Sequence, residues 1–329
     1  MKRGILIPAI AMLMLSSCSA KGEATAQAEA ETSRAETEAQ RDTSTVYFIR
    51  DINPEALVKI YEALGRPAHG RVGVKISSGE SSKTNHLDTA LINPLVRLVK
   101  GRYIEGNTAY PGNRNSSEKH YRTAVEHGYT GIDIMDSLTT IELPVKDGYH
   151  LTKDIVGERF KNYDYILVLS HFKGHQMAGF GGALKNISIG IASSEGKAYI
   201  HSAGLTDNPE DDRAFGAEQD AFLESMADAC QAITSHMGDN IVYINVANNL
   251  SVDCDCNANP AKPEMGDFGI LASTDPVALD RACIDMVMNS DDHGKIHLIE
   301  RINSRHGTHL LDASEKHGIG SQAYKLVEL

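Results

Sequence analysis

The stretch from Ser170 to Lys197, SHFKGHQMAGFGGALKNISIGIASSEGK, gathers histidines, lysines and glycines directly behind an apolar run. Ile166 to Leu169 reads as a buried strand, so His171, Lys173 and His175 fall just past a strand's carboxyl end, where open α/β sheets hold their ligands. The two imidazoles are borderline ligands suited to zinc or iron. Lys173 and Lys185 are candidates to hold a phosphate or carboxylate, with backbone N–H groups at a helix start and a loop of Gly179, Gly181, Gly182 and Asn186 beside them. The glycines equally suit a plain tight turn. They do not complete G-x-G-x-x-G, because Leu184 takes the last position, and no G-K-[ST] follows.

A second chemical feature lies behind another apolar run. Ile241 to Val246 reads as a buried strand, and the chain then passes Asn248 and Asn249 to reach Cys254 and Cys256. Thiolates in a C-x-C pair are placed to share a metal or a cluster, or to close a small redox disulfide. If the sheet is parallel, this loop and the His171–His175 loop leave the same edge, and two imidazoles with two thiolates would suit tetrahedral zinc or an iron site. Cys230 and Cys283 sit at helical spacing among apolar residues and are expected to be buried.

The elements that must position these groups alternate. Val46–Ile49 and Arg71–Ile76 read as strands around a helix that Asn53 caps and Pro54 starts. Helical spacing through Leu91, Leu95, Leu98 and Val99 follows, then a helix from Ser116 or Ser117 carrying His120, near Arg114 and His127. Ile132–Met135 ends in a strand, Glu195–His201 reads as an edge-like strand, and 203–216 is a polar loop. Ala217–Met237 is a long amphipathic helix, Phe268–Ala272 a short strand, and Asp275-Pro276 opens the helix bearing Cys283. Strand and helix in alternation specify an α/β fold with a mostly parallel sheet flanked by helices, in one large domain or two lobes.

Lys2 and Arg3 precede an apolar run from Gly4 to Leu15, about a dozen residues and short of the roughly 20 that span a bilayer. This start reads as a secretory signal over residues 1–18. Its ending, Leu15-Ser16-Ser17-Cys18, resembles a bacterial lipobox, which implies lipid attachment at Cys18 and a place on the cell envelope. Residues 19–45 are Ala, Glu, Thr, Ser and Gln with almost nothing large and apolar, a composition expected of a flexible tether before a folded region at 46–329. A net charge of −12, with no basic patch, argues against a nucleic-acid partner.

Several motifs in order, KISSGE (75–80), TAYPGNRNSSEKHYRTAVEHG (108–128), HFKGHQMAGFGGALKNISIGIASSEGK, INVANNLSVDCDCN and DFGILASTDPVALDRACIDMV, resemble the family called domain of unknown function 362. The resemblance runs over the whole folded region. Many members carry a ferredoxin-like insert with two sets of four cysteines after the segment matching Tyr199–Ser202. Here AGLTDNPEDDRAFGAE follows His201 and contains no cysteine, which implies that those two clusters are lacking, while the family's Cys-Asp-Cys survives at 254–256. The H-x-K-x-H and Gly-Gly stretch is also similar, at the level of fold, to nickel-pincer lactate racemases, in which His and Lys hold a nickel-bearing nucleotide. The expected function is that of a metal- or iron-sulfur-dependent redox or related enzyme acting on a small, anionic molecule, or else a metal-free ligand-binding lipoprotein.

Overall fold

A computed structural model of the chain describes residues 43–329. The signal, Cys18 and nearly all of the tether lie outside the described residues. Ser44 to Leu329 form one compact unit.

Strands β1 (Ser44–Ile49), β2 (Val72–Lys75), β3 (Arg102–Glu105), β4 (Asp133–Ile134), β7 (Tyr165–His171), β10 (Ile241–Ala247), β11 (Gly269–Ser273) and β12 (Tyr324–Glu328) build an eight-stranded sheet in the order β12-β1-β11-β10-β7-β2-β3-β4. Only β11 runs against its neighbours. β5 (Thr140–Pro144) pairs with β6 (Lys153–Gly157), and β8 (Lys173–His175) with β9 (Gly179–Gly181), as separate antiparallel ribbons.

Helices cover both faces, which is why the central strands read as unbroken apolar runs. Every residue of β7 is buried, and its side chains alternate between two cores. Tyr165, Leu167 and Leu169 face α1 (Pro54–Ala63), α2 (Thr89–Leu98) and α3 (Ser117–Glu126); Ile166 and Val168 face α4 (Ala183–Ile187), α6 (Gln219–Met237) and α7 (Pro276–Asn289). Each such Leu or Ile stabilises the fold by roughly 1.5–3 kcal/mol relative to exposure. Helices α8 (Lys295–Ser304) and α9 (His309–Lys316) close the second core, and the free thiols of Cys230 and Cys283 are buried within it.

One element differs from the sequence expectation. Glu195–His201 is not an edge strand but belongs to α5 (Ser194–His201). Tyr199 and Ile200 favour a strand, yet Ser193 caps the segment by accepting from Gly196 N at 3.0 Å, and Asp136 Oδ2 accepts from Ser194 N at 3.0 Å. Burying Ala198 and Ile200 in the core then favours the helix over local propensity.

The topology fixes where chemistry can occur. From β2 the chain winds outward through β3 and β4, and from β7 it winds the other way to β10, so the direction reverses between β2 and β7. Such a switch point opens a crevice at the carboxyl ends of its strands. Among the described residues, no helix is long and apolar enough to cross a membrane.

Candidate functional site

Asn186 stands in that crevice. Its Oδ1 accepts from Lys75 Nζ at the end of β2 (2.8 Å), and its Nδ2 donates to Ser170 Oγ near the end of β7 (3.0 Å). The same side chain thus bridges both strands of the switch point, with Lys75 also donating to Ile76 O at 2.5 Å.

A cavity of about 400 Å3 opens there. Its polar lining is unusual in sign: Lys75, Lys185, Lys197, Arg114, His175 and His201 against one carboxylate, Glu105. Glu105 is committed elsewhere, accepting from Arg114 Nη1 (2.8 Å), Ser78 N (3.0 Å) and His120 Nε2 (3.1 Å). Burial opposes its charge, but Arg114 and His120 outweigh that and hold the carboxyl well below its usual range. Arg114 is also held by Glu80 at 3.0 Å.

The three lysines have no such partner. Lys197 donates only to the carbonyls of Ala192 (2.5 Å) and Gly106 (3.4 Å), and Lys185 Nζ has no partner among the described residues. Burial foremost, together with one another's charge and that of Arg114, brings Lys75 down to about 7 and Lys185 and Lys197 to about 8. His201 donates through Nδ1 to Lys197 O at 2.7 Å, which leaves Nε2 as the accepting nitrogen; burial lowers it to about 4. Tyr110, Ile189, Met177 and Phe215 form the apolar remainder of the wall.

Against this cavity lies the second feature. The β7–β10 ladder is parallel with Val246 opposite His171, so the loops after both strands leave one edge, as the parallel arrangement requires. Extended backbone from His171 to His175 places His171, Lys173 and His175 on one side. His175 Nε2 reaches Cys256 Sγ at 3.7 Å. His171 does not join it: Nδ1 meets Asp255 Oδ2 at 3.1 Å and Nε2 meets Asn248 O at 2.5 Å. Lys173 Nζ is ion-paired to Asp255 Oδ1 and contacts His171 Nδ1 at 2.9 Å. Burial alone would raise the Asp255 carboxyl, but Lys173 and His171 hold it well below the usual range. Both predicted histidines therefore reach Cys-Asp-Cys, one at a sulfur and one at the aspartate between the sulfurs.

The glycine loop has a different role from the anion cradle considered in the sequence. Gly179, at φ +81°, turns the β8–β9 hairpin. The first N–H groups of α4, from Ala183 and Leu184, already donate to Asp280 at 2.8 and 2.9 Å, so this helix start is capped by a protein carboxylate. A Cβ on Gly182 would sit 2.3 Å from Asp280 Oδ1, which explains the glycine there. Gly181 and Gly182 line a smaller cavity of about 40 Å3, next to Lys173, Lys185, Cys254 and Cys256.

Cys254 and Cys256 form a disulfide. Ligand atoms of His175, Cys254 and Cys256 all lie within 4.8 Å of one another, a set that could hold a metal ion once the disulfide is reduced. Two thiolates fall short of the four that hold an iron-sulfur cluster, and Cys230 and Cys283 are buried in the core. Lys173, sealed by Asp255, contributes no free charge, whereas Lys185 faces both cavities.

Sequence reasoning did not find Lys75, Glu105 or Lys197. The available signal was a charged residue ending a buried strand, as in V-G-V-K and R-Y-I-E. Arg114 and His201 do reach the cavity; His120 supports Glu105; His127 accepts no ligand position and instead pairs with Ser78 O at 2.6 Å and stacks on His86.

No curated protein matches the chain. Among solved structures, a structural-genomics crystal structure of a protein from Thermotoga maritima is similar, with 14% identity and a TM-score of 0.42, covering 71% of this chain and 58% of that one. The lactate racemase apoprotein from Thermoanaerobacterium thermosaccharolyticum is similar at 13% identity and a TM-score of 0.40, covering 74% and 57%. The chain thus spans less than two thirds of either structure. The family model described as Domain of unknown function (DUF362) matches residues 72–285, including every strand and loop that builds the cavity and the Cys-Asp-Cys, and the chain belongs to that family.

Proposed function

We propose that the chain is a redox enzyme acting on a small anionic molecule, held in the cationic cavity beside a sulfur centre at Cys254 and Cys256. One observation carries this reading: three lysines converge on one cavity with no carboxylate partner, and Lys185 has no partner among the described residues. Buried like charges are costly unless something of opposite sign compensates them. A carboxylate or phosphate on the ligand would do so, and the apolar wall of Tyr110, Ile189, Met177 and Phe215 would take its remaining surface.

The test is calorimetric titration with succinate, sulfate and phosphate. Lys185→Met is expected to weaken the binding anion roughly 10- to 100-fold, the worth of one hydrogen bond to a charged group at about 1.5–3 kcal/mol. It should not lower stability, since Lys185 gives up no hydrogen bond. Binding of equal strength in both proteins would defeat the reading.

A second reading, a metal-free binding protein, is favoured by the disulfide, which leaves no thiolate for a metal. A zinc or iron centre at His175, Cys254 and Cys256 is the alternative that reduction would open. Metal content of anaerobically purified protein, beside Cys254→Ser and Cys256→Ser, separates the two. The lipobox-like Leu15-Ser16-Ser17-Cys18 supports an envelope address with a lipid on Cys18; labelled palmitate retained by the Cys18→Ala protein would overturn that.

A further inference from the structure

The two sulfurs of the Cys-Asp-Cys are not equivalent. Cys254 is 5% exposed, whereas the half-buried Cys256 borders the large cavity as well as the small one. His175 adds a directional group. Its Nδ1 accepts from Ala178 N at 2.9 Å and Met177 N at 3.2 Å, so that nitrogen carries a lone pair. The ring's one proton is therefore on Nε2, which faces Cys256 Sγ at 3.7 Å. Metal-bound histidines show the reverse arrangement, the nitrogen away from the metal donating to an acceptor. An N–H aimed at sulfur instead stabilises a thiolate.

Resting on the reading of the cavity as an anion site, we propose that Cys254 and Cys256 form a thiol–disulfide exchange centre for a low-molecular-weight thiol bearing a carboxylate or phosphate, with Cys256 as the sulfur attacked. The ligand's thiolate, its anionic group held from the Lys185 side, attacks Cys256 Sγ. A bond forms between the ligand sulfur and Cys256, the Cys254–Cys256 bond breaks, and Cys254 leaves as a thiolate that takes up a proton. A second ligand thiolate attacks the ligand sulfur of this mixed disulfide. Cys256 then leaves as a thiolate beside the His175 N–H and is protonated in turn. Two ligand thiols are oxidised to one disulfide, and the protein pair is reduced to two thiols with the two protons the ligands lost. Access decides which sulfur is attacked, and only Cys256 reaches the large cavity.

The experiment uses full-length protein with Cys254→Ser, leaving Cys256, and with Cys256→Ser, leaving Cys254. Each is reacted with dithiodisuccinate, the disulfide of mercaptosuccinate, and with cystamine, a cationic disulfide, and adducts are followed by intact mass and peptide mapping. Rates are divided by those of free glutathione with each reagent. The expected result is a Cys256 adduct formed at least tenfold faster with dithiodisuccinate than with cystamine. Lys185→Met in the Cys254→Ser background should erase the preference, succinate should compete, and Cys254 should react at least tenfold more slowly than Cys256. Calorimetric succinate binding without labelling would overturn the exchange centre and leave the anion site standing. Labelling that ignores both succinate and reagent charge would overturn both. Stoichiometric zinc retained by the reduced wild-type protein, blocking its labelling, would overturn the exchange centre in favour of a metal centre.

Discussion

Arg114 is the residue on which the charge pattern turns, because it neutralises Glu105 and Glu80 and so removes the carboxylates that the lysines would otherwise find. The guanidinium, Glu105 and His120 are all nearly inaccessible, and each hydrogen bond in the group leaves a buried charge if its partner is lost. Glu105→Gln is therefore expected to destabilise the protein by about 3–5 kcal/mol, the usual consequence of breaking one side of a buried ion pair. Urea denaturation measures it, and a loss under about 1 kcal/mol would contradict the network. Little of this was legible in the sequence. His171, His175, Cys254 and Cys256 announce themselves by type and spacing, whereas Lys75, Glu105 and Lys197 sit on β2, β3 and α5 and meet only through the sheet order. Asp255 was visible between its cysteines, but nothing local shows that Lys173 and His171 converge on it.

Elements matter here through how closely their backbones approach. Gly174 N donates to Ser251 O at 2.9 Å, and a Cβ on Gly174 would lie 2.3 Å from Val252 O. β8 and the loop bearing Cys254 and Cys256 thus touch backbone to backbone, which sets the His175–Cys256 distance. Gly174→Ala is expected to destabilise by roughly 1–3 kcal/mol through overpacking and to displace the loop. Hydrogen exchange across residues 248–258 reports it; unchanged protection would contradict the close packing. The strands and most helices were legible because their apolar periodicities are strong, as in YILVL and IVYINV. α5 was not, because Tyr199 and Ile200 carry a strand preference that the Ser193 cap and burial override. The glycine loop misled for a related reason: its shape was legible, but the acceptor of its N–H groups, Asp280, lies on α7, far away in sequence.

At the scale of the molecule, a doubly covered sheet brings three uncompensated lysines to its switch point, and the consequence is a linkage between anion binding and pH. Lys75 titrates at about 7 and Lys185 and Lys197 at about 8, all below the ordinary 10.5, so without a bound anion they lose charge across neutral pH. An anion favours the protonated forms and raises these values. Binding near pH 8 must therefore take up protons, and affinity is fullest below pH 7 and declines as pH rises through 8 and beyond. The most direct measurement is a carbon-13 NMR titration of protein labelled at lysine Cε, with and without succinate and in Lys185→Met. The account predicts three lysines titrating between about 7 and 8, one of them missing in the variant, and all moving upward when the anion binds. Every lysine titrating near 10.5, with none moved by succinate, sulfate or phosphate, would contradict the cationic cavity on which the function rests.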